Sequence, residues 1–203
     1  MDAIVVAGMP GAGGTTIARR LAGLLKVPHY SAGQLFKDIP NGTVKKQHYY
    51  PEFKQLCDAK GIVIPDMKND NDTEGLRDFW QTDLGKSKEL HNVIDELSKV
   101  LAAKGDIVMD AKLGLSMMPS ARRVWIKADL DARAVRTAKK DKVDVETAKK
   151  TVLEREASER KEWQRIYGFD YFDQEFDEGV IVVDTTHLDA DQAFEAVVKA
   201  LGV

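Results

Sequence analysis

Short apolar runs alternate along the chain with longer amphipathic segments. Residues 3–7 form an apolar, β-branched run that predicts a strand buried on both faces of a parallel sheet. Similar runs predict strands at residues 107–109, 124–126 and 180–183. Helical periodicity predicts helices between these strands, at residues 15–25, 84–104, 129–140, 145–166 and 189–201. The alternation predicts an α/β fold with a mostly parallel sheet.

Residues 41–81 break this pattern. They contain Asn-Gly, two prolines, several aromatic residues and a polar run at 68–74, which together predict a lobe or a long excursion from the sheet. Residues 70–75 resemble the start of an EF-hand loop. However, Gln81 stands at the twelfth position, where a calcium loop needs a bidentate acid, so calcium binding is disfavoured.

Composition and charge narrow the class of protein. The 203 residues are 43% hydrophobic and 31% charged, which predicts one compact domain with an inserted lobe. The net charge of −3 argues against a broad nucleic-acid surface, but residues 112–165 alone carry +6 and residues 166–203 carry −8. We expect a cytoplasmic protein, because no apolar stretch approaches the ~20 residues of a membrane span and no secretory leader is evident. The single cysteine, Cys57, is expected to be a structural thiol.

A glycine-rich segment directly after the first predicted strand is the strongest chemical signal. It has the spacing of the phosphate-binding pattern G-x-x-x-x-G-K-[ST] and opens the first predicted helix. Thr15 stands at the Mg²⁺-ligand position, whereas Gly14 replaces the lysine that reaches the β- and γ-phosphates. The alternative is a turn that only joins strand to helix. We predict ATP binding by Gly8, Pro10, Gly11, Ala12, Gly13, Gly14, Thr15 and Thr16.

A loop without lysine needs cations from elsewhere. Two predicted helices between residues 129 and 165 supply them at Arg133, Arg136, Lys139, Lys140, Arg155 and Arg160. Alone, this run would be interpreted as a solvated helical face with i,i+4 pairs such as Glu156 with Arg160. Beside a phosphate loop it favours a mobile lid that spreads positive charge around a transferred phosphoryl group.

These residues resemble the archaeal-type cytidylate kinases, within the P-loop nucleoside monophosphate kinases. Residues 10–16 resemble the family's phosphate loop, and residues 31–37 resemble the start of its monophosphate-binding helix. Asp95 matches an acid before the third strand, and residues 109–113 resemble the end of that strand. Residues 128–136 and 155–168 resemble the lid and the helix that follows it.

The resemblance implies a single P-loop kinase domain over residues 1–203, with a five-stranded parallel sheet flanked by helices. Core and lid would occupy residues 1–36 and 84–203, and an NMP-binding lobe residues 37–83. The implied reaction moves the ATP γ-phosphoryl group to CMP or dCMP with Mg²⁺. We expect a monomer, with no membrane and no obvious nucleic-acid partner. The implied catalytic residues are Arg136, Lys140, Arg155 and Glu159, and the implied acceptor-binding residues are Ser31, Gly33, Lys37, Asp95, Asp110 and Lys112.

Several positions depart from the family pattern. Lys37 and Lys112 stand where arginines usually hold the acceptor's phosphate, and lysine lacks the two-pronged donor geometry of arginine. Gln34 replaces an acid, and Glu162 replaces a frequent cation. These departures leave open a kinase for another small acceptor, and a nucleotide-binding module with weakened catalysis. The aromatic residues His48, Tyr49, Tyr50 and Phe53 either stack on a base or form the core of the lobe.

Overall fold

The computed structural model describes residues 1–65, 79, 81–172 and 178–203. These form two compact units, one made of Met1–Tyr30 with Asp106–Val203 and the other of Ser31–Gly105. The second unit contains the predicted lobe but extends beyond it at both ends, and the division into core, lobe and lid stays a prediction. The EF-hand-like run at residues 70–75 lies outside the described residues. No helix in the described ranges is long and apolar enough to cross a membrane.

Five strands form one sheet in the order β2-β3-β1-β4-β5. The predicted five-stranded parallel sheet is confirmed: β1 pairs in parallel with β3 and β4, and β4 pairs in parallel with β5. Four strands match the apolar runs of the sequence, whereas β2 has only three residues and shows no such run. The strands are β1 (Ile4–Gly8), β2 (His29–Ser31), β3 (Val108–Asp110), β4 (Arg122–Lys127) and β5 (Val180–Asp184).

Helices connect the strands of this α/β fold. In chain order the described α-helices are α1 (Gly14–Leu25), α2 (Ala32–Asp38), α3 (Tyr50–Ala59), α4 (Asp83–Lys86), α5 (Lys88–Lys104), α6 (Gly114–Met117), α7 (Leu130–Asp141), α8 (Val145–Tyr167) and α9 (Ala190–Leu201), and a 3₁₀ helix spans Val44–Lys46. The helix predicted over residues 84–104 is confirmed from Lys88 to Lys104, whereas its first residues belong to a separate short helix. Ser87 divides the two, because its hydroxyl accepts a hydrogen bond from the Leu90 amide at 3.2 Å and so caps a new helix.

The core of the first unit places α1 and α9 against the sheet. Ile4 and Val6 of β1, with Val124 and Ile126 of β4, are fully buried. The helices α7 and α8 form a hairpin, and each begins at a capping aspartate. Asp129 accepts a hydrogen bond from the Ala132 amide at 2.7 Å. Such caps satisfy amides that the first helical turn leaves unpaired.

The second unit contains helix α3, within residues that the sequence predicts only as an excursion. Pro51 suggests a break in the chain, but it lies in the first turn of α3, where proline's missing amide costs nothing. Tyr49 and Phe53 are buried at 3% and 0% exposure, which places them in the core of this unit. Cys57 is also buried there, and burial raises the pKa of its thiol to about 11, as expected for a structural thiol.

Candidate active site

The phosphate loop turns sharply between β1 and α1. Gly11 and Gly13 have φ values of 81° and 99°, a conformation that residues with a side chain rarely adopt. The Ala12 amide donates to the carbonyl of Met9 at 3.0 Å, which closes the turn. Gly13 is the N-cap of α1, and the first amides of that helix face outward from its N-terminus. This arrangement of strand, glycine turn and helix is suited to hold a phosphate group.

The structure has space for a side chain at Gly14, the position at which the phosphate loop lacks its lysine. A Cβ atom added at Gly14 would meet nothing closer than 3.8 Å, and the φ of Gly14 is not positive. At Gly11 the opposite holds, because an added Cβ would lie 3.0 Å from the carbonyl of Arg133 and 3.0 Å from the Thr137 hydroxyl. Gly11 therefore permits the close approach of α7, whereas Gly14 is not required by packing.

Thr15 and Asp110 meet at the carboxyl edge of the sheet. The Thr15 hydroxyl donates to Asp110 Oδ2 at 2.6 Å. The parallel register explains the contact, since Asp110 at the end of β3 pairs with Val6 near the end of β1. Hydroxyl and carboxylate oxygens are ligands that Mg²⁺ accepts in sites completed by substrate phosphates and water. The donor set therefore fits Mg²⁺, and no cluster of three or more His, Cys, Asp or Glu suited to a metal occurs among the described residues.

A second charged group surrounds Lys112, two residues after Asp110. The Lys112 ammonium forms an ion pair with Glu159 of α8, and Arg155 Nε donates to Glu159 Oε1 at 2.8 Å. Burial lowers the pKa of Lys112 despite the attraction of Glu159. Burial also acts to raise the pKa of Glu159, but Lys112 and Arg155 outweigh it, so that the pKa of Glu159 is lowered. The structure thus brings three predicted site residues together.

Aromatic rings line one side of this charged group. The Lys112 Nζ atom lies 5.7 Å from the ring centroid of Tyr171 and 5.5 Å from that of Phe172. Arg160 forms an ion pair with Asp170, and its guanidinium carbon lies 4.9 Å from the Phe172 ring centroid. Sequence reasoning missed Tyr171 and Phe172 because they follow the predicted lid helix without any recognisable spacing.

The arginines of α7 contact the back of the phosphate loop. Arg133 Nη1 donates to the carbonyl of Pro10 at 3.2 Å and forms a buried ion pair with Glu156 of α8. Arg136 Nη1 donates to the carbonyl of Ala12 at 3.2 Å, and Nη2 donates to the carbonyls of Thr185 and Leu188. In this structure both guanidinium groups therefore hold protein carbonyls, and the catalytic role of Arg136 stays a prediction.

Other cations of the predicted lid contact acidic side chains rather than the phosphate loop. Lys140 is exposed at the end of α7, with its Nζ atom 3.7 Å from Asp141 Oδ1, and its catalytic role also stays a prediction. The suggested pair of Glu156 with Arg160 is wrong, because Glu156 faces Arg133 and Arg160 faces Asp170. Arg165 Nη2 is paired with Glu162 at 2.8 Å. Several cations of the +6 segment are thus held in specific ion pairs.

The remaining predicted acceptor residues lie in the second unit. Ser31 caps α2, since its hydroxyl accepts from the Gln34 amide at 3.2 Å. Gly33 and Lys37 are exposed on the same helix, and Asp95 is half-buried on α5. Their role in acceptor binding stays a prediction.

The acid missing at residue 34 has a counterpart one turn later in α2. Asp38 is buried at 4% exposure and accepts hydrogen bonds from Gln34 Nε2 at 3.1 Å, the Thr43 hydroxyl at 2.9 Å and the Tyr49 hydroxyl at 3.3 Å. Sequence patterns did not indicate this cluster, because the chain between Asp38 and its partners Thr43 and Tyr49 contains no α-helix or strand. It ties the start of the predicted lobe to α2.

Comparisons with known proteins agree with this geometry. The model of the cytidylate kinase-like family matches residues 3–187. The chain is 28% identical to the cytidylate kinase of Methanopyrus kandleri, covering 98% of this chain and 92% of the relative. It is also 28% identical to the cytidylate kinase of Methanocaldococcus jannaschii, covering 98% and 96%. The crystal structure of an uncharacterized protein from Eubacterium ventriosum shares the fold, with a TM-score of 0.57 at 16% identity over 100% of this chain and 99% of that one. The chain therefore belongs to the cytidylate kinase-like family.

Proposed function

We propose that this protein, an ATP-dependent nucleoside monophosphate kinase, transfers the γ-phosphoryl group of ATP to CMP or dCMP. The observation that carries the proposal is the contact of Thr15 with Asp110 beside the phosphate loop. It supports the proposal because this hydroxyl and carboxylate would together hold Mg²⁺ beside the donor phosphates. When bound, Mg²⁺ would supply positive charge to the β- and γ-phosphate oxygens.

The chain's own part in the reaction is to orient and to stabilise charge. The glycine turn and the first amides of α1 hold the donor phosphates, and the positive end of the α1 dipole favours their charge. Thr15 and Asp110 position the metal-binding edge of the site. Because phosphoryl transfer needs little covalent chemistry from the enzyme, placement of the two substrates and of the surrounding charges accounts for most of its rate.

Lys112 supports the acceptor side of this proposal. Lys112 follows Asp110 by two residues, and its ammonium forms an ion pair with Glu159. Arg155 forms a second ion pair with the same carboxylate. An incoming phosphate dianion would compete with Glu159 for both cations. We propose that Glu159 keeps Lys112 and Arg155 oriented between turnovers and shares them with the acceptor's phosphate during transfer.

The choice of CMP or dCMP rests on the relatives rather than on a described pocket. The curated relatives from Methanopyrus kandleri and Methanocaldococcus jannaschii are named cytidylate kinases. In the second unit we propose that Ser31, Gly33, Lys37 and Asp95 contribute to acceptor binding. Lys37 would bring one further cation, without the paired donors of an arginine.

A coupled assay of ADP release tests the proposal. Wild-type protein is assayed with ATP and Mg²⁺ against CMP, dCMP, UMP, AMP and GMP. We expect CMP and dCMP to give the highest kcat/KM. Preference for another monophosphate would overturn the acceptor assignment. Binding of ATP without transfer to any acceptor would indicate a nucleotide-binding module instead.

Variants at Thr15 connect the assay to the site. Thr15→Val keeps the shape of the side chain but removes the oxygen, and we expect kcat to fall by about 100-fold or more, as for loss of other charge-stabilising groups. Thr15→Ser keeps the hydroxyl and is the matched control, with an expected loss of less than about 10-fold. Equal activity of Thr15→Val and wild type would exclude Thr15 from the metal site.

A further inference from the structure

The hydroxyl of Tyr171 is the least explained polar group near the site. The side chain is 0% exposed, and its hydroxyl finds no hydrogen-bond partner among the residues that the structure describes. A buried hydroxyl without a partner destabilises the folded state, so such groups are rare, and a role in binding a ligand is one reason for a protein to keep one. Phenylalanine would fill the same space without this cost.

The surroundings of Tyr171 fix its ring firmly. The ring packs edge-on against Trp125 of β4, with centroids 5.3 Å apart, and tilts against Trp163 of α8 at 4.9 Å. Its neighbour Phe172 lies edge-on at 5.4 Å. A ring held on three sides keeps its hydroxyl in one place, which is what a positioned donor requires.

The charges around Tyr171 are those of the candidate active site. The Lys112 ammonium lies 5.7 Å from the ring centroid. Burial raises the pKa of the Tyr171 hydroxyl well above its usual range, and the carboxylates of Glu159 and Asp110 add to the effect. The phenol therefore keeps its proton over the physiological range and acts there as a hydrogen-bond donor.

We propose that Tyr171 is an acceptor-positioning residue, whose hydroxyl donates a hydrogen bond to a phosphate oxygen of the nucleoside monophosphate beside Lys112. This inference rests on the proposed function and extends it to a residue outside the family motif. A protonated phenol and an ammonium offer complementary donors to a phosphate dianion, and Lys112 lacks the second prong that an arginine would supply. Tyr171 would provide that missing donor from the segment that follows α8.

The test compares Tyr171→Phe with the wild type. We expect kcat/KM for CMP to fall by about 10- to 100-fold, the range for a hydrogen bond to a charged oxygen, while KM for ATP changes less than about twofold. The substrate-free variant should melt higher by roughly 2–6 °C, because the unpartnered hydroxyl is gone. A purely structural tyrosine would not give the selective loss of kcat/KM for CMP.

Tyr167→Phe is the matched control. Tyr167 belongs to the same group of rings, with its centroid 4.9 Å from that of Trp163, but it is half-buried. We expect less than a twofold change in kcat/KM for CMP. A loss equal to that of Tyr171→Phe would overturn the proposal, because it would show a general effect of the aromatic group.

Binding measurements separate this inference from the proposed function. Calorimetry compares the affinities of wild type and Tyr171→Phe for CMP and for cytidine, which lacks the phosphate. We expect Tyr171→Phe to bind CMP about 10-fold more weakly and cytidine equally well. If the wild type binds CMP but does not phosphorylate it, the kinase function fails while this comparison still decides the inference. Absence of CMP binding by the wild type, or equal CMP affinity of the two proteins, would overturn it.

Discussion

The buried ion pair of Arg133 with Glu156 allows a quantitative prediction. The two side chains are only 5% and 12% exposed. In Glu156→Gln the guanidinium would remain charged and buried, with the carbonyls of Ala128 and Pro10 as its acceptors. Breaking one side of a buried pair costs about 3–5 kcal/mol, and because the glutamine oxygen still accepts a hydrogen bond we expect a loss of about 3 kcal/mol.

Urea unfolding measures this loss. With a slope of about 2 kcal/mol per molar urea, a loss of about 3 kcal/mol lowers the midpoint by about 1.5 M. Tryptophan fluorescence follows the transition, since Trp125 and Trp163 lie in the unit that contains the pair. Glu154→Gln is the control, since Glu154 Oε1 lies 3.8 Å from Lys150 Nζ in an exposed ion pair. The free energy of unfolding of this variant should fall by less than about 0.5 kcal/mol. A midpoint for Glu156→Gln within error of the control would refute the reasoning.

A double variant separates stability from positioning of the phosphate loop. Arg133→Met with Glu156→Leu removes both charges, and buried pairs replaced in this way often lose little stability. We therefore expect the double variant to be more stable than Glu156→Gln alone. The carbonyl of Pro10 nevertheless loses its donor in the double variant, so its KM for ATP should be several-fold higher than that of the wild type. Recovery of both stability and ATP affinity would mean that Arg133 does not hold the loop.

Two further predictions concern Gly14 and Cys57. A lysine in Gly14→Lys should fit without strain and increase the affinity for ATP, measured by calorimetry, about 10-fold. Gly14→Met should leave that affinity unchanged, because methionine brings no charge. An equal affinity of Gly14→Lys and wild type would contradict this prediction. Cys57 should react slowly with a disulfide reagent at pH 8 and faster as the pH approaches 11, and a rate like that of free cysteine at pH 8 would contradict its burial. Since folding raises the pKa of this thiol, its contribution to stability is complete below the pKa of the unfolded thiol near 9 and is lost as the pH rises through about 11.

The sequence was most informative where local chemistry and periodicity coincide. The phosphate loop could be predicted because its glycines, Thr15 and the preceding apolar run are contiguous. Asp110 could be associated with it because parallel strands bring their carboxyl ends to one edge. Both residues were predicted separately, and their contact at 2.6 Å follows from the sheet.

The sequence did not reveal which side chains pair between the helices α7 and α8. Glu156 and Arg160 have i,i+4 spacing, which favours a pair along one helix face. In the structure Glu156 instead lies on the face of α8 that packs against α7, where Arg133 is available. Periodicity places a residue on a face, but it does not identify the side chain opposite. Sequence reasoning missed Tyr171 for the same reason, because the residues that contact it belong to β4, to α8 and to the segment directly after β3.

The cations that contact this phosphate loop are arginines of α7, which bind carbonyl groups of the loop, whereas the loop itself has no lysine. Arg133 donates to the carbonyl of Pro10, whose peptide unit carries the Gly11 amide, and Arg136 donates to the carbonyl of Ala12, whose peptide unit carries the Gly13 amide. A charged donor on a carbonyl polarises the peptide and strengthens its amide as a donor. The two guanidinium groups thus strengthen donors of a loop whose Gly14 brings no ammonium. On this argument, replacing either arginine by methionine weakens ATP binding even when the loop keeps its conformation.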